Sequence, residues 1–161
     1  MTKLDTLARE VGFELASRGL TLALAESCTG GLLGHSLTEI PGASRFLLGG
    51  ATCYANAAKM KLLSVRAETL QCYGAVSLQC ATEMLLGVRT LFGSDAAIAI
   101  TGIAGPDGGS TEKPVGTVFI AVSINERTEL QGFLFAGERA TIKQQAACAA
   151  LLQLGLLLAE K

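Results

Sequence analysis

Residues 20–40 read LTLALAESCTGGLLGHSLTEI, and this stretch sets the fold class. Leu20 to Ala25 is a short apolar run of the kind that forms a buried strand. From Thr29 to Ile40, Leu32, Leu33, Ser36, Leu37 and Ile40 line one helical face, and Pro41-Gly42 ends it. Between the two lies a polar, glycine-bearing turn, Glu26 to Gly31. Strand, tight turn and helix in succession begin an α/β layout.

The rest of the chain extends that pattern on both sides. Leu4, Leu7, Ala8, Val11 and Leu15 fall at helical spacing, and Gly19 stops an amphipathic helix over the first eighteen or so residues. Phe46 to Tyr54 reads as a second strand. Asn56 is suited to cap a helix over Ala57 to Ser64, and Ala67 to Cys72 reads as another short helix. Ser77 is placed to cap a long helix, Leu78 to Phe92, and Ala96 to Ile100 reads as a fully buried strand. Val115 to Ile124 and Leu130 to Phe135 form a hairpin pattern. The last helix, Glu138 to about Ala159, is apolar over more than one stripe, which predicts one face on the sheet and the other on a second subunit. The expected architecture is one α/β domain over 1–161, a mixed sheet with helices on both faces.

Composition narrows the function classes. Charged residues make up 17% of the 161 residues against a usual value of about 25%. Half of the residues are hydrophobic, so the chain reads as compact and apolar. A net charge of −1 with no basic cluster argues against nucleic acid as a partner. No uninterrupted apolar run approaches the roughly 18 residues of a membrane span, and the N-terminus lacks a signal-peptide core. A cytoplasmic protein is expected. The five cysteines, Cys28, Cys53, Cys72, Cys80 and Cys148, are odd in number and include no CxxC pair, which argues for reduced thiols over a disulfide framework or zinc site.

Three segments can carry chemistry. The turn Glu26-Ser27-Cys28-Thr29-Gly30-Gly31 could offer N–H groups and a helix dipole to an anion; its plainer reading is that Ser27 or Thr29 caps the helix. The run TGIAGPDGGSTEKPVG, 101–116, is long and glycine-rich for a connection between strands, and the backbone at Gly102, Ile103, Ala104 and Gly105 could form an anion-binding nest. In Tyr54-Ala55-Asn56-Ala57-Ala58-Lys59, an Asn56 cap would put Lys59 at the third helical position, where the dipole lowers the pKa of an amine; its plainer reading is a solvated helix residue. A neutral lysine can activate a serine without histidine. The single His35 lies off the apolar face of its helix, which argues against a Ser-His-Asp triad, and Cys28 reads as a small buried residue. Few acids lie near these segments, so no metal is expected.

Taken together, AESCTGG at 25–31, YANAAK at 54–59, GAVS at 74–77 and TGIAGPDGGSTEKPVGTV at 101–118 resemble the C-terminal domain family of the competence and damage-inducible protein CinA. The order and spacing match over nearly the whole chain. Stand-alone members of that family are nicotinamide-nucleotide amidohydrolases, also called NMN deamidases, and the chain looks like this single-domain type. The resemblance implies hydrolysis of the carboxamide of nicotinamide mononucleotide to nicotinate mononucleotide and ammonia, a salvage step, with no cofactor.

Resemblance and residues meet in one expected mechanism. Ser27, activated by Lys59, attacks the amide carbonyl, with Tyr54 and Thr101 orienting the dyad or the substrate. Backbone N–H groups of the Cys28 to Gly31 turn, or of the Gly102 to Gly105 loop, hold the oxyanion. Glu26, Thr29, Asn56 and Arg139 complete the expected substrate contacts, Arg139 toward phosphate. Thr29 in the same turn stays open as the alternative nucleophile. At Lys143 the family stretch often has a second arginine, so a bidentate group becomes a point charge. The alternative function is a non-catalytic nucleotide-binding or competence-related regulatory module, and a homodimer or higher homo-oligomer is expected.

Overall fold

The computed structural model describes residues 1–160. In chain order the elements are α1 (Lys3–Ser17), β1 (Leu22–Glu26), α2 (Leu32–Thr38), a 3-10 turn (Ala43–Arg45), β2 (Leu47–Thr52), α3 (Asn56–Leu63), α4 (Ala67–Tyr73), α5 (Leu78–Phe92), β3 (Ala96–Gly102), β4 (Thr117–Ile124), β5 (Arg127–Leu134) and α6 (Arg139–Ala159). The five strands form one mixed sheet in the order β2-β1-β3-β4-β5, the first three parallel and the last two antiparallel.

The two central parallel strands explain the layering. β1 is LALAE and β3 begins AAIAI, so large and small side chains alternate across the sheet. Leu22, Leu24, Ile98 and Ile100 enter the core beneath α1, α2 and α6. Ala23, Ala25, Ala97 and Ala99 face the other way, into the core shared with Met84, Leu85 and Val88 of α5. The alanine face leaves room for helices to lie close to the sheet. On that side a Cβ at Gly87 of α5 would stand 1.9 Å from the Leu63 carbonyl oxygen, so α3 and α5 touch backbone to backbone.

Two expectations are corrected here. α2 starts at Leu32 rather than at Thr29, and neither Ser27 nor Thr29 caps it. Gly30 and Gly31 adopt φ of +63° and +93°, a conformation that favours glycine, and so extend the turn by three residues. The carboxylate of Glu26 then takes the first N–H groups, from Gly31 (3.1 Å), Leu33 (3.1 Å) and Gly34 (2.8 Å). The second correction concerns α6. Its additional apolar stripe meets α1, where Leu4, Ala8, Val11 and Leu15 share a core with Ala150, Leu151, Leu154, Leu157 and Leu158. Leu152 and Leu156 are left exposed. By length and composition α6 could cross a membrane, yet half of its apolar window is buried within the fold, as expected of a core helix.

α1 carries a start signal beyond its apolar face: Thr2 Oγ1 accepts from the Asp5 N–H (3.2 Å) while the Thr2 N–H donates to Asp5 Oδ2 (2.7 Å). At α5 the expected cap is present, with Ser77 Oγ accepting from the Cys80 N–H at 3.1 Å.

Candidate active site

The site forms where three chain segments leave the same end of the parallel sheet. The register Glu26↔Thr52 between β1 and β2, and Glu26↔Ile100 between β1 and β3, brings Ser27, Cys53 and Thr101 to neighbouring exits. Two hydrogen bonds hold the exits together: the Ser27 N–H donates to the Ile100 carbonyl (3.0 Å) and the Cys53 N–H to the Glu26 carbonyl (2.8 Å). α3 follows β2 after only three residues and returns Lys59 to the exits.

Lys59 Nζ lies 3.0 Å from Ser27 Oγ and donates to the carbonyls of Cys53 (2.8 Å) and Tyr54 (3.1 Å). The lysine is 1% exposed and the serine 7%. No carboxylate pairs with Lys59 among the described residues. Burial holds its amine below the ordinary 10.5 of a lysine. The sequence reading placed the cause in the helix dipole; with Ala55 as the N-cap, Lys59 is instead the fourth helical residue, and desolvation dominates. The groups close enough to favour its charge are the thiols of Cys80, Cys53 and Cys28 and the Tyr54 phenol. Burial pushes the Cys28 and Cys80 thiols up to about 11, so they are neutral where most enzymes work.

Three oxygens within hydrogen-bond reach match the three N–H groups of a charged Lys59, the third donating to Ser27 Oγ. An uncharged Lys59 has two N–H groups and one lone pair. With both of those N–H groups on the Cys53 and Tyr54 carbonyls, the uncharged form would accept from the Ser27 hydroxyl instead of donating to it.

The other expected site residues are distributed as follows. Thr29 is fully buried and its hydroxyl has no partner among the described residues. The N–H groups of Gly30 and Gly31 are engaged by the Ser27 carbonyl and by Glu26, that of Cys28 lies against its own thiol, and that of Thr29 donates to no acceptor among the described residues. Glu26 is buried and its carboxylate is held by α2, which makes it a helix cap rather than a ligand contact. Asn56 is not the cap of α3; it is the first helical residue and is exposed. Thr101 Oγ1 donates to the Ala75 carbonyl (2.8 Å) and so braces the loop before α5 rather than the dyad. Gly102 closes β3, and the Ile103 N–H donates to the Thr117 carbonyl, which removes it from an anion nest. Ala104 is buried, and the Gly105 carbonyl accepts from Arg139 Nη1 (2.6 Å). Arg139 Nη2 donates to the exposed Tyr54 hydroxyl (2.8 Å), so Tyr54 links Arg139 through its side chain to Lys59 through its carbonyl.

Sequence reasoning missed the carbonyls of Cys53 and Tyr54, which hold the amine; parallel strands side by side were the only signal for them. His35 is exposed on α2. Among the described residues no three His, Cys, Asp or Glu side chains converge to hold a metal. Two concavities lie outside the dyad: one of about 880 Å³ between α3 and α5, and one of about 240 Å³ beside Glu26, Gly31 and Thr52. Tyr54, Arg139 and the turn after Ser27 lie about the buried dyad.

The comparison with known proteins is decisive about kinship. Residues 4–158 match the model of the CinA C-terminal domain. The chain belongs to the CinA C-terminal domain family. A CinA-like protein of Syntrophotalea carbinolica is 53% identical over 147 residues, 91% of this chain and 36% of that protein. A CinA-like protein of Gemmatimonas aurantiaca is 51% identical over the same share of this chain and 34% of its own. The chain thus spans about a third of the length of these curated CinA relatives. A CinA superfamily protein of Klebsiella pneumoniae superposes with a TM-score of 0.94 at 40% identity, covering 99% of both chains. The competence/damage inducible protein CihA of Agrobacterium tumefaciens gives 0.95 at 38%, covering 99% of this chain and 98% of its own. The CinA fold accordingly extends over the whole described chain.

Proposed function

We propose that this CinA-family chain is an amidohydrolase that converts nicotinamide mononucleotide to nicotinate mononucleotide and ammonia with a Ser27–Lys59 dyad. The observation that carries the reading is a buried amine without a carboxylate partner, 3.0 Å from a serine hydroxyl at a strand exit. A lysine that only supported the fold would gain by pairing with an acid; a lysine whose burial favours the neutral amine is suited to take a proton.

In the proposed reaction the Ser27 hydroxyl proton passes to Lys59 Nζ as Oγ bonds to the carboxamide carbon. The developing oxyanion is taken by N–H groups of the turn after Ser27, first that of Thr29, which has no other acceptor among the described residues; each such donor commonly contributes about 3 to 4 kcal/mol. Lys59 returns its proton to the nitrogen as the C–N bond breaks, and ammonia leaves. Water then attacks the acyl-enzyme, giving its proton to Lys59, and Ser27 recovers its hydroxyl as the carboxylate departs. Arg139, at the rim, serves the nucleotide phosphate. The five free thiols fit the reducing cytoplasm, where we place the reaction. Association through the exposed Leu152 and Leu156 of α6 is the proposed route to a homo-oligomer.

The test is ammonia release from nicotinamide mononucleotide by the purified protein beside Ser27→Ala and Lys59→Ala. Release lost in both folded variants supports the dyad. A wild type that binds the nucleotide without releasing ammonia refutes the hydrolase reading and favours a regulatory module.

A further inference from the structure

The link between α4 and α5 gives three successive carbonyls to side chains. Tyr73 accepts from Lys113 Nζ (2.7 Å), Gly74 from Ser77 Oγ (2.9 Å) and Ala75 from Thr101 Oγ1 (2.8 Å). The Tyr73 carbonyl is one that a helix end leaves over, so the plainer role of Lys113 is to cap α4. Capping alone does not account for the rest. Lys113 is itself fixed, since its N–H donates to Ser110 Oγ (3.0 Å) and its carbonyl accepts from the Ser110 N–H (2.9 Å). Gly74, at φ +76°, leaves room for the ammonium, and Lys113 Nζ lies 3.8 Å from where a Cβ on Gly74 would stand. No carboxylate pairs with Lys113 among the described residues. A long side chain is thus ordered on a neutral carbonyl, at a cost in side-chain entropy.

Thr101 and Lys113 stand at the two ends of the glycine-rich loop, so both of its ends hold the link. The link also borders the chemistry. Ile100, just before Thr101, accepts from the Ser27 N–H, and the Cys80 thiol, three residues after Ser77, is among the groups close to the Lys59 amine. Within the loop, the Gly105 carbonyl accepts from Arg139, Arg139 reaches the Tyr54 hydroxyl, and the Tyr54 carbonyl accepts from Lys59. The contacts close into a ring in which the dyad is one link and Lys113 another.

We propose that Lys113 is a positioning residue: by latching the glycine-rich loop to the link before α5, it fixes two segments that border the dyad and sets how a carboxamide is presented to Ser27. The proposal rests on the amidohydrolase reading above. The dyad has supports of its own in the carbonyls of Cys53, Tyr54 and Ile100, so loss of the latch falls on substrate binding rather than on the chemical step.

The experiment compares wild type, Lys113→Met and Lys113→Arg by amide hydrogen exchange and by steady-state ammonia release from nicotinamide mononucleotide. Methionine keeps an apolar stem without the donor, and arginine restores a donor. In Lys113→Met, exchange should quicken severalfold both at the Gly74 N–H and at those of Ile103, Ser110 and Gly116, all of them hydrogen-bonded in the wild type. KM should rise about tenfold, the range of one hydrogen bond to a charged group, with kcat within about twofold. Lys113→Arg should recover most of the loss. A lysine that only caps α4 would lower the melting temperature and leave KM unchanged; that result, or a fall in kcat alone, overturns the proposal. Quickened exchange confined to the loop of Lys113 overturns it too. A wild type that releases no ammonia refutes the amidohydrolase reading, and calorimetric binding of nicotinate mononucleotide then decides the latch: weakening in Lys113→Met supports it, and unchanged binding overturns it. A wild type that binds no nucleotide overturns both.

Discussion

Lys59 Nζ and Ser27 Oγ, 32 residues apart in sequence, stand 3.0 Å from each other, and the same amine donates to the backbone carbonyls of Cys53 and Tyr54. If these two groups act as one device, removing either should cost about as much as removing both. Ser27→Ala, Lys59→Ala and the double variant are each expected to lose about a thousandfold or more in ammonia release, without additivity. Additive losses would mean that the two act independently. Thr29→Val separates the nucleophiles: it keeps the backbone N–H and removes a buried hydroxyl that has no partner, so turnover should survive and stability should hold or rise. Collapse to the level of Ser27→Ala would move the nucleophile to Thr29.

The depressed pKa of Lys59 gives two pH signatures. The dyad works with the amine neutral, so kcat/KM should rise with pH along a single limb whose midpoint lies below the ordinary lysine value of 10.5. Stability follows the same titration. The unfolded chain binds the Lys59 proton more tightly than the folded one, so this group's contribution becomes more favourable as pH rises from the folded pKa toward 10.5. Lys59→Met should therefore be more stable than wild type at neutral pH, with the difference shrinking under alkaline conditions. Thermal melts across pH check this, and a difference independent of pH would contradict it.

The fold was more legible than the site, for reasons visible in particular residues. The alternation in LALA and AIAI gave β1 and β3 directly, and Ser77 before an apolar helix gave α5, because these signals are local. The start of α2 was misplaced because its cap, Glu26, acts across two left-handed glycines rather than from the adjoining position. A single acid ending an apolar strand just before an uncapped Gly-Gly was the available clue. The second stripe of α6 could not be assigned from sequence, since an apolar face covered by α1 and one covered by another subunit have the same pattern. Ser27 and Lys59 could be suspected individually; only the parallel register of β1 and β2 sets them together.

Glu26 offers a test of how the turn is held. Its two carboxylate oxygens accept three N–H groups at the start of α2, and the Ser27 carbonyl begins the same turn. Glu26→Gln keeps the shape but removes the charge and one acceptor oxygen. The expected cost is about 1 to 3 kcal/mol of stability, with turnover reduced because the Ser27 hydroxyl is no longer fixed. Denaturant unfolding beside ammonia release measures both. Unchanged stability would show that water replaces the carboxylate at those N–H groups.

Gly87 links the helix layer to the chemistry without touching the dyad. A methyl group there would meet the Leu63 carbonyl oxygen at 1.9 Å, and neither backbone can yield without moving its helix. α3 ends at Leu63 and carries Lys59, whose own carbonyl accepts from the Val65 N–H at 3.2 Å. Gly87→Ala should therefore destabilise the fold by about 1 to 3 kcal/mol, an overpacking cost that outweighs the better helix propensity of alanine. The shift of α3 should also lengthen the Lys59–Ser27 contact, so that kcat falls more than KM changes, because orientation of the reacting groups is lost while the rim formed by Arg139 remains. Steady-state kinetics on the folded variant decides the matter: a loss of stability with unchanged kcat would mean that Lys59 is held by the Cys53 and Tyr54 carbonyls alone, independently of where α3 lies.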